Sequence, residues 1–209
     1  MNTPLAQPLH LPNRLGKSAM TEGLADAHGH PTQAHCTLYR TWSEGGTGLL
    51  LTGNAVLEDD HALPLFSAWA EAAQSAGSDC WVQLSHPGRQ CPRLVNSRPL
   101  SPSDAQLDVL FNFGKPRPMS EADIEDVIAR FVRSALLVKR AGFSGVQIHC
   151  AHGYLLSQFL SPLTNRRTDT WGGSLENRAR IIRHITPVSY THLRAHETVL
   201  DLVCRLLLE

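Results

Sequence analysis

The feature that most restricts this 209-residue chain is a repeated alternation. A short apolar run closed by polar residues is followed by a longer run of helical spacing. "LGKSAM" (15–20), "GLLLTGN" (48–54), "CWVQLSH" (80–86) and "GVQIHC" (145–150) read as four strands. Apolar runs of this length, bounded by turn signals, suit strands buried on both faces of a parallel sheet. "AHCTLYRTWSEGG" (34–46) and "LFSAWAEAAQSAG" (65–77) read as helices stopped by glycine. Pro87 to Met119, rich in Pro, Ser and Asn, reads as loop. The clearest helix starts after Ser120, a good N-cap with Asp123 three residues on. It carries Ile124, Val127, Ile128, Phe131, Ala135 and Val138 at helical spacing, and Gly142 ends it. "SLENRARIIRHI" (174–185) reads as a fourth helix capped by Ser174. Four strand–helix units in order predict a parallel α/β architecture. Periodicity alone does not separate an open sheet from a barrel.

Composition narrows the function classes. Hydrophobic residues make up 42% of the chain and charged residues 18%, as in a globular domain. Nineteen basic residues balance nineteen acidic ones, which gives no electrostatic case for nucleic acid or an anionic membrane. The five cysteines, at 36, 80, 91, 150 and 204, are odd in number and widely spaced. They predict neither a disulfide framework nor a CxxC metal site, and they suit a reducing, cytoplasmic setting. No apolar run is long enough to span a bilayer, and the first residues lack a signal peptide's apolar region.

In either parallel architecture, ligand chemistry gathers where strands end and loops begin. Met20 and Thr21 close the first predicted strand; Thr52, Gly53 and Asn54 close the second. Gln83 and His86 close the third. His149 closes the fourth, with His152 and Tyr154 just beyond. That trio admits three readings: a metal site, an acid/base site or core packing. The zinc reading is weak, because HxxH lacks a third ligand at recognisable spacing.

The run "GFSGVQIHCAHGYLLSQFLSP" and the following "NRRTDTWGGSLENRAR" resemble the old yellow enzyme family of flavin-dependent ene-reductases. "NRLGKSAMT", "GLLLTGN", "WVQLSHPGR" and "MSEADIEDVIARF" match in the same order, over roughly residues 5–186. The resemblance implies an α/β fold that is a partial TIM (β/α)8 barrel, about its first four βα units, with residues 1–186 as the amino-terminal half. It implies FMN bound noncovalently, NADH or NADPH as reductant, and an activated alkene (an α,β-unsaturated carbonyl) as the small-molecule partner. Ser18, Ala19, Met20 and Thr21 would lie along the flavin ring, with Thr21 at the position that tunes its potential. Gly53 and Asn54 would let backbone approach the isoalloxazine, and the Gln83 amide would pair with its pyrimidine edge. His149 and His152 would hydrogen-bond the substrate carbonyl oxygen, and Tyr154 would protonate the substrate. His86 and Arg89 are expected only to brace their loop, and "NRRTDTWGG" to be a structural loop. Gly23 stands where some branches carry an active-site tyrosine, and the 55–68 segment is shorter than usual.

The family pattern continues after "ENRAR" into a fifth strand with a flavin-contacting arginine, and then into phosphate-binding loops. In its place stands "VSYTHLRAHETVLDLVCRLLLE", from Val188, which resembles an in-frame translation of a sequencing-library adapter. Residues 187–209 are therefore expected to be a non-native tail in which His192, His196 and Cys204 carry no function. The competing reading is an amphipathic helix on Leu193, Leu200, Val203 and Leu207. The fragment is expected to be inactive alone. The alternative function is a noncatalytic half-barrel that folds or associates through an exposed sheet edge.

Overall fold

The computed structural model describes residues 11–55 and 60–193, with side chains through Thr186. One compact unit runs through Leu84 and resumes over Val132–Ile148; a second holds Ser85–Phe131 and His149–Pro187.

The first unit is built on a four-stranded sheet of β1 (Gly16–Lys17), β2 (Leu49–Ala55), β3 (Asp79–Leu84) and β6 (Gly145–Ile148). Its order is β1-β2-β3-β6 and every pairing is parallel. Consecutive parallel neighbours joined by helices are what the alternating sequence predicts. Residues Cys80 to Leu84 of β3 are all buried, so this central strand reads as a continuous apolar run broken only by Gln83. Helix α1 (Gln33–Glu44) buries Cys36, Tyr39 and Ser43, and ends at Gly45, whose N–H caps the Thr41 carbonyl at 2.9 Å. Helix α2 (Leu63–Gln74) buries Phe66, Trp69 and three alanines. The Trp69 ring meets Tyr39 edge-on at 5.1 Å and Phe143 at 5.5 Å, an arrangement aromatic quadrupoles favour. At the start of β6, a Cβ on Gly145 would lie 2.8 Å from the Trp81 ring, so only glycine lets β3 and β6 approach this closely.

The second unit is held by side-chain hydrogen bonds more than by strands. Its two short strands, β4 (Leu100–Ser101) and β5 (Arg117–Pro118), pair in parallel. In the first turn of α3 (Glu121–Ala141), Asp123 accepts two bonds from Arg117, at 2.8 and 2.9 Å, and two from the Ser120 N–H and Oγ. The Arg117 guanidinium and the Ser120 donors hold its carboxyl far below the usual carboxylate range. Helix α4 (Leu155–Leu160) carries Gln158, which is 1% exposed. Its Nε2 donates to the Gly153 carbonyl at 2.6 Å and its Oε1 accepts from the Arg89 N–H at 3.2 Å. Further on, Asn165 Nδ2 donates to the carbonyls of Phe159 and Trp171, both at 2.8 Å. Arg167 donates to the Met119 and Pro102 carbonyls and pairs with Asp169. In the "NRRTDTWGG" run the side chains of Asn165, Arg167 and Asp169 therefore bond within their own unit.

Four sequence expectations need correction. The first strand is two residues long rather than six, because Lys17 Nζ, not a neighbouring backbone amide, takes the Leu51 carbonyl (3.0 Å), and β2 is irregular between Leu51 and Asn54. The 87–119 loop contains a short turn of 3-10 helix at Gly88–Gln90 and the β4–β5 pair. The predicted 174–185 helix is two pieces, α5 (Leu175–Arg178) and α6 (Arg180–Leu193), parted at Ala179. There Arg178 Nε turns to the Leu160 carbonyl and Arg180 Nε to that of Thr170, each at 2.7 Å. The four helices predicted from the sequence do not include α4. The expected tail enters as the last part of α6, and 194–209, with Cys204, His196, Leu200, Val203 and Leu207, lies outside the described residues.

Replacing Gly145 with alanine should destabilise the protein by about 1–3 kcal/mol, the usual cost of overpacking a filled core. Urea denaturation checks this; an unchanged midpoint would show that Trp81 yields freely.

Candidate functional site

The residues expected to face the flavin fall in the first unit. Ser18, Met20 and Thr21 are exposed and Ala19 is half-buried; the Met20 side chain is not core. The segment turns across β2 at Gly53. A Cβ there would collide with the Met20 carbonyl oxygen and lie 2.8 Å from Thr21 Cα. Glycine at this position therefore serves a close approach of two backbone segments. Asn54 is exposed and is the register partner of Gln83, which in turn is the partner of Gln147. Three side-chain amides thus occupy one row across β2, β3 and β6.

Gln83 Nε2 donates to Gln147 Oε1 at 2.7 Å. The bond fixes both amides and leaves one carbonyl oxygen, on Gln83, and one NH2, on Gln147, for a ligand. A flavin's pyrimidine edge needs both an acceptor and a donor, so this pair fits it. Gln147 was missed in the sequence. The signal was present: strand side chains alternate, so Gln147 and His149 are two apart on one strand run.

His149, His152 and Tyr154 belong to the second unit, immediately after β6. Their rings form one cluster. His149 lies 5.2 Å from His152 and 5.0 Å from Tyr154, centroid to centroid. The backbone explains the closeness. His152 has φ +56° and Gly153 φ +73°, two successive left-handed residues that fold the chain back sharply. Gln90 Nε2 pins that turn through the His152 carbonyl at 2.8 Å, and the Leu155 N–H bonds to the His86 carbonyl at 3.0 Å. His86 Nδ1 also accepts the Gly88 N–H, at 3.1 Å. Tyr154, half-buried, is the N-cap residue of α4.

The electrostatics separate the two histidines. His149 is 7% exposed while His152 is exposed. Burial, with a smaller contribution from His152, pushes His149 down to about 4. At neutral pH it is a neutral imidazole, able to donate one N–H without bringing a full charge into the site. Cys150 beside it is no nucleophile, since burial lifts its thiol to about 12. Among the described residues no group of three or more His, Cys, Asp or Glu is placed to hold a metal ion, and no helix is long and apolar enough to cross a membrane.

The family model of the NADH:flavin oxidoreductase / NADH oxidase family matches residues 5–189. The NADH-dependent flavin oxidoreductase iliE of Hypocrea jecorina is 36% identical over 206 residues, covering 83% of this chain and 51% of that protein. The NADH-dependent flavin oxidoreductase nadA of Aspergillus parasiticus is 39% identical over 218 residues, covering 88% and 49%. Among solved structures, morphinone reductase in complex with tetrahydroNAD aligns with a TM-score of 0.79 at 26% identity, over 88% of this chain and 58% of that one. The old yellow enzyme homologue from Zymomonas mobilis gives 0.79 at 26%, over 87% and 56%. The chain spans about half the length of the curated relatives it matches. These likenesses carry the expected fold class: the parallel sheet and its helices are part of a TIM barrel. The chain belongs to the NADH:flavin oxidoreductase / NADH oxidase family.

Proposed function

We propose that this chain carries the amino-terminal part of an FMN-dependent oxidoreductase that reduces an activated alkene, an α,β-unsaturated carbonyl, at the expense of NADH or NADPH. The observation that carries the reading is the His149–His152–Tyr154 ring cluster, with its buried histidine held neutral. FMN, when bound, would supply the hydride. Ser18, Ala19, Met20, Thr21, Gly53, Asn54 and Gln83, joined by Gln147, would hold its ring. His149 and His152 would each aim an N–H at the substrate's carbonyl oxygen, where negative charge grows as the alkene is reduced. Tyr154 would give its phenolic proton to the α-carbon. The neutral His149 suits this task, because it stabilises developing charge without bringing a full charge into the site.

The family match, ending at residue 189, supports residues 1–186 as the barrel portion and 187–209 as a separate tail. In this reading the 209-residue chain holds FMN weakly and does not turn over. The outer edges of β1 and β6 have no strand partner among the described residues. A half-barrel that associates through those edges is the second reading, favoured by the same observation.

Residues 1–186 fused to the carboxyl portion of the Hypocrea jecorina relative should bind FMN and oxidise NAD(P)H in the presence of cyclohexenone. In that protein, alanine at both His149 and His152 should weaken phenol binding to the flavin site by about tenfold or more, the loss of one or two hydrogen bonds. Tyr154→Phe should slow alkene reduction by roughly 100-fold while sparing flavin reduction. Unchanged phenol titrations, or equal slowing of both half-reactions, would remove these residues from the chemistry.

The His149 titration gives an independent check. Its folded value, about 4, lies below its ordinary value of 6.5, so the unfolded chain takes up the proton first as pH falls. Stability from this group is complete above the ordinary value and is lost as pH drops toward 4. Imidazole NMR signals should show His149 neutral at pH 5.5, and His152→Ala should raise its value. A His149 titrating at its ordinary value would contradict the buried placement.

A further inference from the structure

The segment Ser18–Thr21 makes no hydrogen bond of its own among the described residues, either through its backbone or through its side chains. It is also largely exposed, so neither a strand ladder nor apolar burial sets its path. Yet its two flanking residues are tied together. Lys17, just before it, and Glu22, just after it, form an ion pair at 2.7 Å, with side chains only 11% and 9% exposed. Tyr39, fully buried on α1, donates its hydroxyl to the same Glu22 oxygen at 2.7 Å. Burial and the neighbouring carboxylate keep that phenol protonated, and so a permanent donor. Lys17 is fixed on its other sides by the Leu51 carbonyl at 3.0 Å and by the Trp42 ring, 4.7 Å from its Nζ. Across from the pair, Gly53 lets β2 press against Met20 and Thr21.

A surface arch whose ends are joined by a buried ion pair is an unusual use of charge. Two desolvated charges are costly unless well paired; here Lys17 Nζ reaches Glu22, Tyr39 and the Leu51 carbonyl, and Glu22 Oε1 accepts from both Lys17 and Tyr39. The arch is also the segment that the proposed function lays along the flavin ring. We infer that Lys17, Glu22 and Tyr39 are positioning residues: their tie holds Ser18–Thr21 in its flavin-ready shape before any cofactor arrives. A platform ordered beforehand binds without the entropy of ordering it. This inference rests on the flavin reading of residues 18–21. None of the three residues is required to touch the cofactor.

The test uses the 209-residue chain without and with FMN. By 15N relaxation, the amides of Ala19, Met20 and Thr21 should be as rigid as β3, with order parameters near 0.85, and Glu22→Gln or Lys17→Met should lower them below about 0.6. Lys17→Arg, which keeps the cation, should restore rigidity. Tyr39→Phe, which deletes one hydroxyl, serves as the mild variant if the charge substitutions unfold the protein, and should loosen the arch in part. FMN fluorescence quenching, titrated through the high-micromolar range, should then show the loosened variants binding about tenfold more weakly than the wild type, with Lys17→Arg close to wild type. An arch that stays rigid in Glu22→Gln, or a loosened arch that binds FMN as well as the wild type, overturns the positioning role. A wild-type chain that quenches no FMN overturns the positioning role, leaving a purely structural tie, whereas the flavin reading itself falls only if the fused protein described above also binds no FMN.

Discussion

The first unit rests on one constraint: four strands pair in parallel, in the order β1-β2-β3-β6. Parallel neighbours joined by helices leave all carboxyl ends on one side, so the last residues of successive strands fall into rows. Asn54, Gln83 and Gln147 are such a row. A polar row at the end of a sheet otherwise buried is tolerable only if its groups find partners. The Gln83–Gln147 bond meets that need while keeping one acceptor and one donor free. The close packing beneath it depends on Gly145, whose missing side chain makes room for Trp81.

The same economy governs the charged and polar groups. Lys17 and Glu22 are buried together with Tyr39, so neither charge is left without a partner. Gln158 is almost wholly buried, and its amide joins the Gly153 carbonyl to the Arg89 N–H, which fixes the turn carrying His152. In the ring cluster, burial works on the charge state instead. It keeps His149 neutral beside an exposed His152, and the two present chemically distinct imidazoles. Packing thus decides which groups are donors, which are fixed and which are free to meet a ligand.

Much of the architecture was legible in the chain. The apolar runs 48–54, 80–86 and 145–150 are strands within a few residues, and Gly45 and Gly142 stand at the ends of their helices. The "HCAHGY" run, with its strand end and paired histidines, pointed to the ring cluster, and the family motifs pointed to the barrel. Other features were not legible. The helix Leu155–Leu160 is only six residues long, too short for helical periodicity to show. The break at Ala179 depends on carbonyls at Leu160 and Thr170, which lie far off in sequence. Gln147 looked like one more polar residue in a strand until the register placed it beside Gln83.

The sequence by itself determined the order of elements, the helix stops and the residue types gathered at strand ends, because periodicity and glycine act over a few neighbours. Tertiary structure alone decided the neutral His149, the left-handed turn at His152, the amide row and the Lys17–Glu22 tie. Each of these depends on groups brought together from distant parts of the chain, or on burial, and neither distance in space nor loss of water is written in local sequence. Lys17 and Glu22 stand five residues apart and would pass for two surface charges. Only the fold, by burying Tyr39 beside Glu22 and setting the Trp42 ring against Lys17, makes them one interaction.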